Sequence, residues 1–157
     1  MSDYAKIHDL IKNIRIAMVT FTTQEGHLHA VPMTTQNKEF NGQVWFIASK
    51  KSELVQNLPQ NNQVNVAYAT SSNDYVSMHG TGELVNDPAL LDELWSPAYN
   101  AFFEGGKEDP DVQLIRITAH GAQYWEGDGT IVTLFKLTKA AISGETEKLG
   151  TSNTTTL

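Results

Sequence analysis

The chain has 157 residues, 40% of them apolar and none of them cysteine, and its formal net charge is −7. That length suffices for one domain with its own core, and the missing cysteines exclude disulfides, thiolate metal sites and cysteine nucleophiles. The acidic balance works against nonspecific nucleic-acid binding, and no apolar run reaches the roughly 18 residues of a membrane span.

The start, Met1-Ser2-Asp3-Tyr4, lacks the basic flank and apolar segment of a signal peptide, so a cytoplasmic protein that meets neither membrane nor nucleic acid is expected. Helical spacing of Tyr4, Ile7, Ile11 and Ile14 predicts a helix from Asp3 to about Asn13, with Ser2 as its N-cap. The period then changes. Ile16 to Thr22 is rich in β-formers and ends at the turn signal Gln24-Glu25-Gly26, and His27 to Thr35 reads as the returning strand. Asn41-Gly42 is a hairpin signal before Gln43 to Ala48, which predicts an antiparallel meander of the first three strands.

Ser52 to about Leu58 is a short helix closed by Pro59, and Gln63 to Ala69 alternates as a half-buried strand should. Beyond the polar loop Ser71 to Asp74, Tyr75 to Val85 forms a strand in which Gly80 and Gly82 signal a bulge or a close backbone approach. Asp87-Pro88 opens a helix through about Trp95, and Ala98 to Phe103 adds a turn or two. Val112 to Thr118, Ala122 to Glu126 and Ile131 to Leu137 are further strands, and the tail from Ser143 reads as mobile or draped over a neighbour. About seven strands with short helices, in no strand–helix alternation, predict a single α+β domain over residues 1–157 that is mainly a β-barrel.

The sequence contains no nucleophile elbow, no P-loop and no dinucleotide fingerprint. His27 and His29 share one strand face, and a metal site would need His79 or His120 as a third ligand; without cysteines or a visible second shell, two polar strand positions are the favoured reading. Ser49-Lys50-Lys51-Ser52-Glu53 places two lysines and two hydroxyls where a strand meets a helix start. That is either a phosphate clamp in an acidic protein or a solvated loop with a capping serine. Trp45, Trp95, Tyr124, Trp125 and Met33 read first as core residues.

These pieces occur in a telling order. His29-Ala30-Val31-Pro32-Met33, Val44 to Val55, Val64 to Tyr68 and Tyr75 to Gly82 are followed by Leu94-Trp95, Phe102 to Gly106, Asp109 to Val112 and Ala122 to Glu126. The ordered set resembles the general stress protein branch of the pyridoxamine 5'-phosphate oxidase-like superfamily, from about Asp3 to the C-terminus. The resemblance implies a six-stranded antiparallel split β-barrel with short flanking helices, and a homodimer with flavin at the subunit interface. The flavin is expected to be FMN, with FAD as the variant. Phosphate binding maps onto Lys50, Lys51 and Ser52. His29, Ala30, Val31, Pro32, Met33 and Thr34 would run along the ribityl chain and ring, Ile47, Ala48 and Ser49 would add backbone contacts, and Trp125 would approach from a neighbouring strand or subunit. The pattern departs at Val31, where relatives often carry arginine, and at His29, where a basic residue is common. A flavin-dependent oxidoreductase linked to stress is the expected function, with a non-catalytic flavin-storing or flavin-sensing protein as the alternative; no protein side chain is expected to be catalytic, and the vitamin B6 oxidase activity of distant relatives is not implied.

Overall fold

The structure, a computed structural model, describes residues 2–135, Leu137 and the strand Ser152–Thr156. Helix α1 (Asp3–Ile11) starts where the Ser2 side chain accepts the Ala5 N–H at 3.2 Å, and it buries Tyr4, Ile7 and Ile11. Strand β1 (Ile16–Thr22) buries Ala17, Val19 and Phe21 on one face, and β2 (Leu28–Thr34) returns beside it through a turn in which Gly26 has φ +84°. Then come β3 (Gln43–Ser49), the short α2 (Glu53–Asn57), β4 (Gln63–Ala69) and β5 (Tyr75–Val85). Helix α3 (Pro88–Leu94), two 3-10 turns, β6 (Val112–Trp125), β7 (Thr130–Leu134) and β8 (Ser152–Thr156) complete the order.

All pairings are antiparallel, so the α+β, mainly β architecture is as expected. The sheet is open and has eight strands among the described residues, not six, in the order β2-β1-β4-β5-β6-β7-β8 with β3 attached to β6. Strand β6 runs unbroken where the sequence suggested two strands. One of its edges lies along β5, while the other is shared, with β3 opposite residues 112–118 and β7 opposite residues 122–125. The tail from Ser143 lies partly outside the described residues, and within it Ser152–Thr156 pairs with β7 of the same chain.

The predicted meander of the first three strands is not formed: β1 lies between β2 and β4, and β3 pairs with β6. Burial explains the choice. The run Trp45-Phe46-Ile47-Ala48 is buried on both faces, whereas β2 is largely exposed. A strand apolar on both faces needs cover on both, and β6, with Leu114, Ile115 and Ile117 all buried, lies in that setting. Phe46 and Ala48 enter the main core with α1, β1, β4 and β5. Trp45 and Ile47 enter a second layer with Leu94, Tyr99, Phe103 and Leu114.

The second layer depends on how α3 is started. Asp87 accepts the Leu90 N–H at 3.1 Å and Pro88 occupies the first turn, which aims Leu94 inward. D87A is expected to cost about 1 kcal/mol, a fall of roughly 2–4 °C in melting temperature for a chain of this size. D87N keeps the acceptor and should melt with the wild type in a circular-dichroism scan.

Candidate functional site

The corner between β3 and α2 is held from two sides. From the β6 side, the Lys50 N–H donates to the Asp111 carbonyl at 2.8 Å, and Ser49 Oγ donates to Asp111 Oδ2 at 2.6 Å. From the helix side, Ser52 Oγ donates to the Ser49 carbonyl at 2.7 Å and accepts the Val55 N–H at 3.4 Å, capping α2. The Gln56 amide donates to the Lys50 carbonyl at 2.7 Å. Both hydroxyls that the sequence offers to a phosphate therefore have protein partners. What the corner leaves in solvent is the pair of exposed side chains of Lys50 and Lys51, neither ion-paired within 4.0 Å to a carboxylate among the described residues.

Carboxylates ring this corner, and of these only Glu53 was visible in the local motif. Asp109 is held below the usual aspartate range by the backbone N–H groups of Asp111 and Gly105, with a further contribution from the Lys51 charge. Glu53 follows directly in α2. Only the β3–β6 pairing brings residues 109–111 here, so sequence distance concealed them.

Strand β2 reaches the same corner. His29 Nδ1 lies 3.8 Å from Glu53 Oε2, and its ring stacks at 5.5 Å on Phe21. Val31 and Met33 pack partly onto the main core, while Ala30, Pro32 and Thr34 are exposed. No described strand pairs with the outer edge of β2, so its backbone donors and acceptors on that side are free to meet a ligand or another chain. The fold thus brings the His29 end of β2 beside the Ser49–Ser52 corner through Glu53, while Thr34, at the other end of β2, lines a cavity with Phe40 and Trp45, and Ile47 and Ala48 stay buried inside β3.

Trp125 is not part of that junction. It closes β6, whose first residue, Val112, is beside the corner, and a strand rising about 3.3 Å per residue places the two ends on the order of 40 Å apart along the chain path. Trp125 faces Tyr75 across the β5–β6 ladder. Tyr75 is 45% exposed. Sequence reasoning missed this aromatic pair because its two members are 50 residues apart and meet only through the register.

The histidines do not assemble either. Strands β1 and β4 separate His29 on β2 from His79 on β5, a spacing of about 14 Å at 4.8 Å per strand. His79 lies over Gly121, and His120 Nε2 is 3.1 Å from Thr81 Oγ1. Among the described residues no group of three or more histidine or carboxylate side chains is placed to hold a metal ion, and no helix is long and apolar enough to cross a membrane.

A family model described as pyridoxamine 5'-phosphate oxidase like matches residues 2–148. The general stress FMN/FAD binding protein of Xanthomonas citri is 33% identical and superposes with a TM-score of 0.69, over 79% of this chain and 88% of that one. General Stress Protein 26 of Bacillus anthracis, at 20% identity, shares the fold with a TM-score of 0.69 over 77% of this chain and 92% of its own. Protein bli-3 of Neurospora crassa is 28% identical over 133 residues, 76% of this chain, and the chain spans 64% of that protein's length.

Proposed function

The chain belongs to the pyridoxamine 5'-phosphate oxidase-like family, and from that premise we propose that it binds FMN as a homodimer and serves as a flavin-dependent oxidoreductase. The observation that carries this reading is the junction of the free β2 edge with the corner bearing Lys50 and Lys51. Two ammonium groups without a carboxylate partner among the described residues suit a phosphate, and a strand edge that no described strand pairs offers backbone groups to a ribityl chain and a ring system. The Xanthomonas citri relative, whose name states FMN/FAD binding, supports the cofactor class.

Two features support the homodimer. Ile16, Met18 and Leu28 are 50%, 40% and 79% exposed, and the β1–β2 register sets Met18 against Pro32 and Thr22 against Leu28, which makes one apolar outer face. An exposed apolar face of this kind marks an interaction surface. Trp125, at the end of β6 far from the Lys50 corner of its own chain, and Tyr75 opposite it on β5 would then reach a ring held by the other copy. Bound flavin supplies the redox chemistry, while the protein binds, orients and shields it.

The test is a titration of FMN into purified protein, followed by fluorescence quenching and paired with sizing in solution. Saturable quenching at one FMN per chain and a dimeric mass are expected. An unquenched titration removes the cofactor, and a monomer that quenches FMN removes the shared site. Anaerobic bleaching by NAD(P)H is expected of an oxidoreductase; flavin that binds and stays oxidised would leave only the storage or sensing role.

A further inference from the structure

Away from Lys50, where β2 ends and β3 begins, lies a cavity of about 410 Å3, within the size range of small-molecule sites. Its floor is deeply buried, with Phe40, Phe46 and Tyr68 at 3%, 1% and 4% exposure. Tyr68 makes no hydrogen bond to a described side chain, and burial raises its pKa, so the phenol remains a neutral donor. Among the described residues no side-chain polar atom is both shut from solvent and unpartnered, so this hydroxyl is one that solvent entering the cavity reaches and a ligand could replace as its partner. On the opposite wall Tyr99 has one, because the Gln36 amide bonds to its hydroxyl.

The rim carries three cations from two segments: Lys12 and Arg15 in the connection between α1 and β1, and Lys38 after β2. Asp9 holds Lys12 at 2.5 Å, and Glu93 holds Lys38 at 3.3 Å. Arg15 has no carboxylate within ion-pairing distance among the described residues. The cavity therefore combines an apolar floor with a phenol donor and a cationic rim group, neither of which has a side-chain partner among the described residues. A guanidinium presents a planar fork that matches a carboxylate better than an ammonium does.

We propose that this cavity binds a small aromatic carboxylate carrying a second oxygen on its ring, the carboxylate at Arg15 and the ring oxygen at Tyr68. The cavity shares Thr34 with the segment assigned to the ribityl chain but uses none of the residues assigned to the flavin phosphate, and it stands whether or not flavin binds.

The probe is 4-hydroxybenzoate, titrated by calorimetry into the full chain and compared with benzoate, which lacks the ring oxygen, and 4-hydroxybenzyl alcohol, which lacks the charge. Saturable binding of one 4-hydroxybenzoate per chain is expected, tighter than either analogue. R15Q should weaken 4-hydroxybenzoate by about tenfold or more, the loss of one charge-assisted bond, and leave the alcohol unchanged. Y68F, which preserves shape and packing, should bring 4-hydroxybenzoate down to the level of benzoate while benzoate itself is unaffected. No binding at millimolar probe would overturn the proposal, as would equal losses for all three compounds in either variant. Competitive displacement by FMN would also overturn it, because the cavity would then be part of the flavin groove. Binding of the probe without binding of FMN would leave this site intact and end the flavin reading alone.

Discussion

G80A is expected to destabilise the protein by about 3 kcal/mol or more, the upper range for a forced insertion into packed structure, which lowers the melting temperature by roughly 6–12 °C in a chain of this size. The reason is backbone against backbone. Gly80 lies where the β5–β6 register shifts, between His79 and Gly80. A β-carbon there would collide with the Thr118 carbonyl oxygen, 2.8 Å from its carbon and 3.0 Å from the Ala119 Cα. Side chains can rotate away from such a contact, but main chain in the middle of a ladder cannot. The clash also sits where the outer edge of β6 passes from β3 to β7, so relief of strain would disturb both halves of the sheet. G26A makes the useful contrast. Nothing lies within 4 Å of its added carbon, and only the φ of +84° opposes it, a cost of about 1–2 kcal/mol. If G80A melted within a degree or two of the wild type, the close approach of β5 and β6 at this point would be refuted.

K50A/K51A should weaken FMN by about 10- to 100-fold, as expected for the loss of charge-assisted hydrogen bonds to a phosphate. Riboflavin, which has the same ring and no phosphate, should bind the variant within about twofold of the wild type. Both lysines are exposed, so solvent and salt screen them and the loss falls toward the smaller end at physiological ionic strength. Raising the salt should therefore erode FMN affinity in the wild type and leave riboflavin nearly untouched. The hydroxyls are not expected to substitute for the lysines, since Ser49 donates to Asp111 and Ser52 caps α2. Parallel losses for FMN and riboflavin would place the phosphate elsewhere.

Most element starts and caps were legible because they depend on neighbours in sequence. The Ser2 and Asp87 caps, the stripe of Tyr4, Ile7 and Ile11, and the alternation of Val64, Val66 and Tyr68 are all local signals, and each appears where it was expected. Gly80 was likewise read as a bulge from its place in a strand, and the register shift lies there. The Lys50–Lys51 corner was legible as a candidate for the same reason, a strand meeting a capped helix within a few residues.

Pairing was not legible. Asn41-Gly42 suggested a hairpin, yet β3 joins β6, about 70 residues away, because only there are both faces of Trp45 to Ala48 covered. Tertiary structure likewise brought Asp109 and Asp111 onto the anion corner, parted His29 from His79, and set Trp125 beside Tyr75 at the far end of β6. The cavity above Tyr68 is likewise a product of tertiary structure, for its walls come from five separate stretches of chain. By itself the sequence determined the fold class and most of the secondary structure, though neither the continuity of β6 nor the strand Ser152–Thr156, since backbone preference and the spacing of apolar residues act over one or two turns. Which surfaces meet was decided by the burial of whole strands, a property that no local window contains.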